Sequence, residues 1–206
     1  MKTSTLSVMA GLVALSGWFG SLIPQQATRI LGGFTHMRVF DTPGVDSFTI
    51  PAGVGRIKVE VRGAGGGGGS GNMGAAVGQG GSGGGYGMGI FSVSSGSVHQ
   101  VIVGAGGLGA VNTCNVGLAG GTSSFGSLIS ATGGGGGGGC GTSSTPGTST
   151  AQLNFDGQIG RQYFHPTGSP ENPGGLCGDG TTVGMGGNGN AFFGRDGNDG
   201  NVVVFW

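Results

Sequence analysis

The chain has 206 residues, of which 56 are glycine, with 8 basic and 8 acidic side chains and a formal net charge of zero. Basic residues are scattered, which excludes a nucleic-acid surface; seven prolines lying outside the glycine tracts exclude collagen. A mean hydropathy of +0.15 on a neutral chain argues for folding rather than disorder.

Residues 1–33 differ in composition from the rest and form an appendage to one domain over 37–206. Residues 6–23 carry no charge and are flanked by Lys2 and Arg29. A secretory signal peptide, a short membrane span and an apolar α-helix that plugs into an assembly all fit this segment. The weak cleavage site before Pro24 favours the helix, which proline would end.

The next residues read as strands. Met37-Arg38-Val39-Phe40 is followed by the turn signal Asp41-Thr42-Pro43-Gly44, then by Ser47-Phe48-Thr49-Ile50 and the break Pro51-Ala52-Gly53. Arg56-Ile57-Lys58-Val59-Glu60-Val61-Arg62 alternates strictly, which predicts a strand with one buried face and one face in water. Further strands are expected at 89–93, 99–103, 127–131 and 201–206. The last is too apolar to hang free and is expected to pair into the sheet.

Glycine tracts separate these strands, and their phase carries information. Read in threes from Gly63 to Gly87, the phase Ala64, Gly67, Ser70, Met73, Ala76, Gln79, Ser82, Gly85 holds two glycines in eight positions, and the other two phases hold thirteen in seventeen. From Gly174 to Ala191 the phase Leu176, Asp179, Thr182, Met185, Asn188, Ala191 holds none. A Gly-Gly-X repeat matches a polyproline-II-type helix with three residues per turn. Two bare edges let neighbouring backbones satisfy each other's N–H and C=O groups. The fold class expected is mainly β: a small antiparallel framework plus a bundle of parallel and antiparallel polyglycine helices. Their side-chain edges are expected to face solvent or the sheet.

Chemical motifs are weak. Gly104-Ala105-Gly106-Gly107-Leu108-Gly109 matches G-x-G-x-x-G, yet a dinucleotide site also needs a following helix and an acidic residue about twenty positions on. The next carboxylate is Asp156. Cys114, Cys140 and Cys177 lack a C-x-x-C pair, and His36, His99 and His165 show no zinc-ligand spacing. One disulfide fits a secreted protein, and three free thiols fit a reducing cytoplasm. No nucleophile–base set or carboxylate pair stands out, so neither an enzyme, a cofactor nor a metal is expected.

Residues 142–173 break the glycine rule. Phe155, Arg161, Tyr163, Phe164 and His165 are the residue types that dominate binding hot spots, and an exposed loop on a rigid scaffold is where recognition usually resides. These five are the candidate receptor contacts; the bland alternative is that the aromatics fold the insert back onto the bundle. Interruptions at 72–77 and 111–116 are expected as further tips at one end.

Ile50-Pro51-Ala52-Gly53-Val54, the strand 56–61 and the glycine run after it resemble the glycine-rich domain at the end of phage tail fibres. Gly120-Gly121-Thr122-Ser123-Ser124-Phe125-Gly126-Ser127-Leu128-Ile129-Ser130-Ala131-Thr132-Gly133-Gly134 and the close Asp199-Gly200-Asn201-Val202-Val203-Val204-Phe205-Trp206 extend the resemblance. More loosely, the chain is similar to fibre-tip adhesins. The resemblance implies a tail fibre or receptor-binding tip in the virion, homotrimeric, that attaches to a host cell-surface receptor, either glycan or protein. Residues 1–33 would dock to other tail or baseplate proteins. A fibre shaft is missing from the pattern and residues 1–33 stand outside it, which leaves a minor structural virion protein or a secreted bacterial surface protein as the alternative.

Overall fold

Alternation in Arg56–Arg62 puts Ile57, Val59 and Val61 on one side of a pleated strand, and a face of three β-branched side chains needs an opposing layer. In the computed structural model that layer is a second sheet. The structure describes residues 33–72, 77–140, 144–161, 172–190 and 192–206. It divides into two units, Met1–His36 and Met37–Trp206; the fold below is that of the second.

Among the described residues nine strands run in chain order: β1 (Met37–Phe40), β2 (Gly44–Thr49), β3 (Arg56–Arg62), β4 (Tyr86–Ser92), β5 (Val98–Val103), β6 (Ser123–Phe125), β7 (Ile129–Ala131), β8 (Leu153–Phe155) and β9 (Asn201–Phe205). They form two antiparallel sheets, ordered β1-β9-β3-β4-β8 and β2-β5-β6-β7. Strand β9 lies inside its sheet: Val204 lies opposite Val59 of β3 and Arg38 of β1. Between the sheets lies a side-chain core that includes Phe48, Ile57, Val59, Val61, Val101, Phe125, Ile129, Val202 and Val204. Phe125 is fully buried and sits 6.1 Å from Phe48, ring centre to ring centre.

Two strand readings are corrected. The stretch 127–131 is the second half of a hairpin, β6–β7, turned at Gly126 (φ 53°). Residues 153–155 of the expected loop form β8, which pairs with β4. The far face of β3 is also not simply in water. Lys58 lies 3.9 Å from the centre of the Phe205 ring and 3.0 Å from Glu60. Arg62 lies over Tyr86 and reaches Asp179 at 2.6 Å. Charged heads whose stems cover aromatic neighbours leave this face half-buried.

The tracts between strands are joined by backbone hydrogen bonds in a three-residue rhythm. In tract 63–71, the amides of Gly63, Gly66 and Gly69 donate to the carbonyls of Gly85, Ser82 and Gln79. Those of Ala64, Gly67 and Ser70 donate to Gly121, Leu118 and Asn115; those of Gly65 and Gly68 donate to Asn198 and Arg195. Carbonyls of the same tract accept from three more neighbours, through Gly107 and Ala110, Gly134 and Gly137, and Gly187 and Asn190. One backbone is thus ringed by six others. Tract 78–85 repeats the rhythm, with Gly81 and Gly84 donating to Gly187 and Gly184, Ser82 and Gly85 to Gly135 and Thr132, and Gly80 and Gly83 to Arg161 and Gln158. The spacing is close: a Cβ on Gly81 would fall inside the van der Waals shell of the Gly66 carbonyl oxygen.

The side-chain edges of these two central tracts do not face solvent or the sheet, which corrects the expectation. Ala64, Ser70, Gln79 and Ser82 are buried among neighbouring tracts. A tract ringed by six others has no outer side, so its third edge admits only small side chains or polar ones that bond the backbone. Gln79 Nε2 donates to the Gly160 carbonyl at 2.9 Å, Ser70 Oγ to the Asn112 carbonyl, and Ser82 Oγ meets Ser144 Oγ at 2.7 Å. No helix occurs among the described residues, and none there could cross a membrane. The apolar segment expected at 1–33 lies almost wholly outside them.

Candidate functional site

Each strand that feeds a tract fixes where that tract must turn back. Tract 63–71 leaves β3 and 78–85 returns to β4; 104–110 leaves β5 and 115–121 returns to β6; 194–200 returns to β9. The turning points therefore gather at the end away from the sheets. Gly71 and Gly78 both donate to the Asn190 carbonyl there, and Cys114 donates to that of Gly71. Cys114 and Cys140 are joined by a disulfide, with 5.0 Å between Cα atoms. Asn112, Cys114 and Cys140 adopt left-handed φ, at 69°, 58° and 50°. Such backbone is uncommon outside glycine and clusters at functional turns.

Val111 (67% exposed), Val116 (58%), Phe192 (53%) and Phe193 (52%) present apolar surface at this end. The stretches 72–77, 111–116, 139–144 and 191–193 carry no charged residue. Below them Leu108 and Leu118 are exposed on neighbouring tracts joined by a 2.8 Å bond from the Leu118 amide to the Leu108 carbonyl.

The expected receptor contacts do not form one described cluster. Phe155 lies in β8 at the sheet end, half-exposed, with its ring stacked on Tyr86 at 6.3 Å and 18°. Arg161 ends tract 156–161 toward the other pole: its amide donates to Pro173 and its carbonyl accepts from Gly80. Tyr163, Phe164 and His165 lie outside the described residues. Within 142–173, residues 144–161 are not a projecting loop. They supply β8 and two stretches of tract, because Gly147, Gly157 and Gly160 each pack backbone against backbone. One disulfide was among the expected thiol states, but its pairing, Cys114 with Cys140, and the Phe192–Phe193 pair at this end were not read from the sequence. The available signals were two aromatics inside a glycine tract, and cysteines placed where two glycine runs break.

Other motifs resolve structurally. In the G-x-G-x-x-G stretch, the amides of Gly106 and Gly109 donate to Asp199 Oδ1 (2.8 Å) and Asp196 Oδ1 (2.7 Å), and that of Gly107 to Gly65. These donors hold tracts together. His99 stacks on Phe125 at 5.0 Å, and its Nε2 meets Ser97 Oγ at 3.2 Å. Among the described residues, no three His, Cys, Asp or Glu side chains stand together as metal ligands.

Shifted titrations gather at the sheet end. Burial pushes the Tyr86 phenol up to about 12, aided by Glu60. Burial likewise pushes the Cys177 thiol up to about 11. Burial works against the charge of Asp179, but the Thr181 hydroxyl and Arg62 outweigh it and hold the carboxyl below its usual value. This network ties turn 178–183 to β3.

Two antiparallel sheets joined to backbone-packed glycine tracts define a glycine-rich β protein. The chain belongs to the family of the glycine-rich domain, whose model matches residues 41–205. No curated protein matches it.

Proposed function

We propose that this protein is a non-enzymatic recognition module, a phage tail fibre or receptor-binding tip whose glycine tracts are polyglycine-II-type helices. The helix assignment is supported by the three-residue alternation of donors in tracts 63–71 and 78–85, each group of amides serving one neighbour. One observation carries the function: the tracts that leave the sheets return to them, so turns collect at one end, which exposes Val111, Val116, Phe192 and Phe193 on a stiff support. Loops positioned by a rigid scaffold are where recognition resides, and exposed apolar patches mark interaction sites. On this reading the end bearing Val111, Phe192 and Phe193, with the stretch containing Tyr163, Phe164 and His165, contacts the host surface. Arg161 flanks it, and Phe155 serves the scaffold. Residues 1–33 dock to other tail proteins, and three copies assemble.

The test pairs location with adhesion. Immunogold labelling of purified particles is expected on the tail. Replacing Phe192 and Phe193 by Ser, and 162–171 by a short Gly-Ser linker, is expected to abolish binding to host cells without affecting incorporation into particles. Full adhesion by that variant overturns the recognition role. A second reading, a secreted surface protein carrying the same module, is favoured by the Cys114–Cys140 bridge, since disulfides persist in oxidising compartments. Protein found on the cell surface and never in particles decides for it.

A further inference from the structure

The two bridged cysteines sit in different turns. Cys114 ends the passage between tracts 104–110 and 115–121, and Cys140 follows tract 132–138, at a sequence separation of 26. Tracts 115–121 and 132–138 are already neighbours, since Gly117 donates to Gly137 and Gly120 to Gly134. Along their length the backbone holds them together. Past Gly117 that ladder stops, and Asn112, Cys114 and Cys140 take left-handed φ that the local chain does not favour. There Asn112, Cys114 and Asn115 are bonded to Ser70 and Gly71, and the bridge is what joins that turn to Cys140.

We propose that the Cys114–Cys140 bridge is a redox latch on the end of the molecule away from the sheets. Oxidised, it locks the turns around 111–116 and 139–140 into one face. Reduction by a dithiol frees that face and leaves the sheets and the tracts beneath intact.

Chemistry and placement support a local event. A thiolate of the dithiol attacks one sulfur, a mixed disulfide forms, and the other cysteine leaves as a thiolate. The second thiol of the reductant then displaces the first cysteine, so the dithiol becomes a disulfide. Two electrons and two protons end on Cys114 and Cys140. Cys114 is exposed and Cys140 half-exposed, so a reductant reaches them. The third thiol cannot intervene. Cys177 is fully buried near the sheet end, its sulfur beside the Gly85 carbonyl, and burial keeps it protonated. Exchange therefore stays confined to one pair. The two-sheet core contains neither bridged cysteine, and tract 63–68 is held to its six neighbours by backbone hydrogen bonds in which neither sulfur takes part.

The experiment uses the full chain purified from an oxidising compartment, with tris(carboxyethyl)phosphine as the probe reductant. Native alkylation read by intact mass is expected to add nothing before reduction and two groups after it. Amide exchange at 111–116 and 139–140 is expected to speed at least tenfold, with β3, β9 and 63–68 unchanged. The double variant Cys114→Ser/Cys140→Ser is expected to exchange like the reduced protein and to ignore the reductant. Two alkylatable thiols before reduction overturn the proposal. So does loss of protection in β3 and β9 on reduction, or an unchanged rate at 111–116. A double variant that fails to fold also overturns it, because the latch is then part of the global fold.

Discussion

The two halves of this domain bury their interiors in opposite ways. At the sheet end, Ile57, Val59, Val61, Phe125 and Val204 fill a layer between strands, and stability comes from apolar surface leaving water. In the tract region, Gly66, Gly81, Gly134 and Gly187 lie as deep as any core residue and bring no side chain. There the interior is backbone, and cohesion comes from amides and carbonyls paired in three directions. A side-chain core tolerates swaps that preserve volume. At its bare glycine edges a backbone core tolerates no added atom, because the spacing there is set by hydrogen-bond length.

The contrast is broken most sharply by one methyl group. Gly81→Ala places Cβ against the Gly66 carbonyl at the middle of the bundle. The expected loss exceeds about 4 kcal/mol, within the exceptional class for single substitutions. Denaturant melts of the variant check it; a loss near 1 kcal/mol would mean that the tracts slide apart cheaply. Phe125→Ala empties the largest fully buried site between the sheets and is expected to cost about 3–5 kcal/mol. The same melts, followed with amide exchange, should show the sheets loosening first in this variant and the tracts first in Gly81→Ala.

Alkali sharpens the comparison at the junction between halves. The folded state holds Tyr86 at about 12 and Cys177 at about 11, both above their ordinary values near 10 and 9. At high pH the folded chain then binds more protons than the unfolded one, so stability falls as pH rises. The contribution is whole below pH about 9 and lost as pH climbs from there to about 12. Thermal melts from pH 8 to 11 should descend, and Cys177→Ala should flatten the first part of the slope. An unchanged slope would show that the thiol is not protected by burial.

The smallest effect is the control. Gly55 precedes β3, is exposed, and has nothing near a prospective Cβ. Gly55→Ala is expected to shift stability by no more than about 1 kcal/mol, in the stabilising direction, by restricting the unfolded chain. A large loss there would mean that glycine count, and not backbone contact, governs this protein.

Strand positions were largely legible because period-two alternation survives in short segments such as 56–62 and 201–205. The glycine rhythm was legible too, since a three-residue repeat leaves a phase that chance does not. The hairpin at Gly126 and strand β8 were missed. Three-residue strands carry too little pattern, and β8 is a strand only because β4 offers it an edge. Of the candidate site, 111–116 was foreseen as a tip, whereas Phe192, Phe193 and the cystine belong to turns that only the folded chain brings to one end.

By itself the sequence determined that this chain packs through bare backbone: with 56 glycines and no net charge, periodic local chemistry left few other ways to satisfy so many amides. Which tract lies at the centre and which cysteines meet was decided only in three dimensions. Hydrogen bonds between tracts reach partners such as Gly65 and Asn198, more than a hundred residues apart, and no local pattern encodes such a pairing.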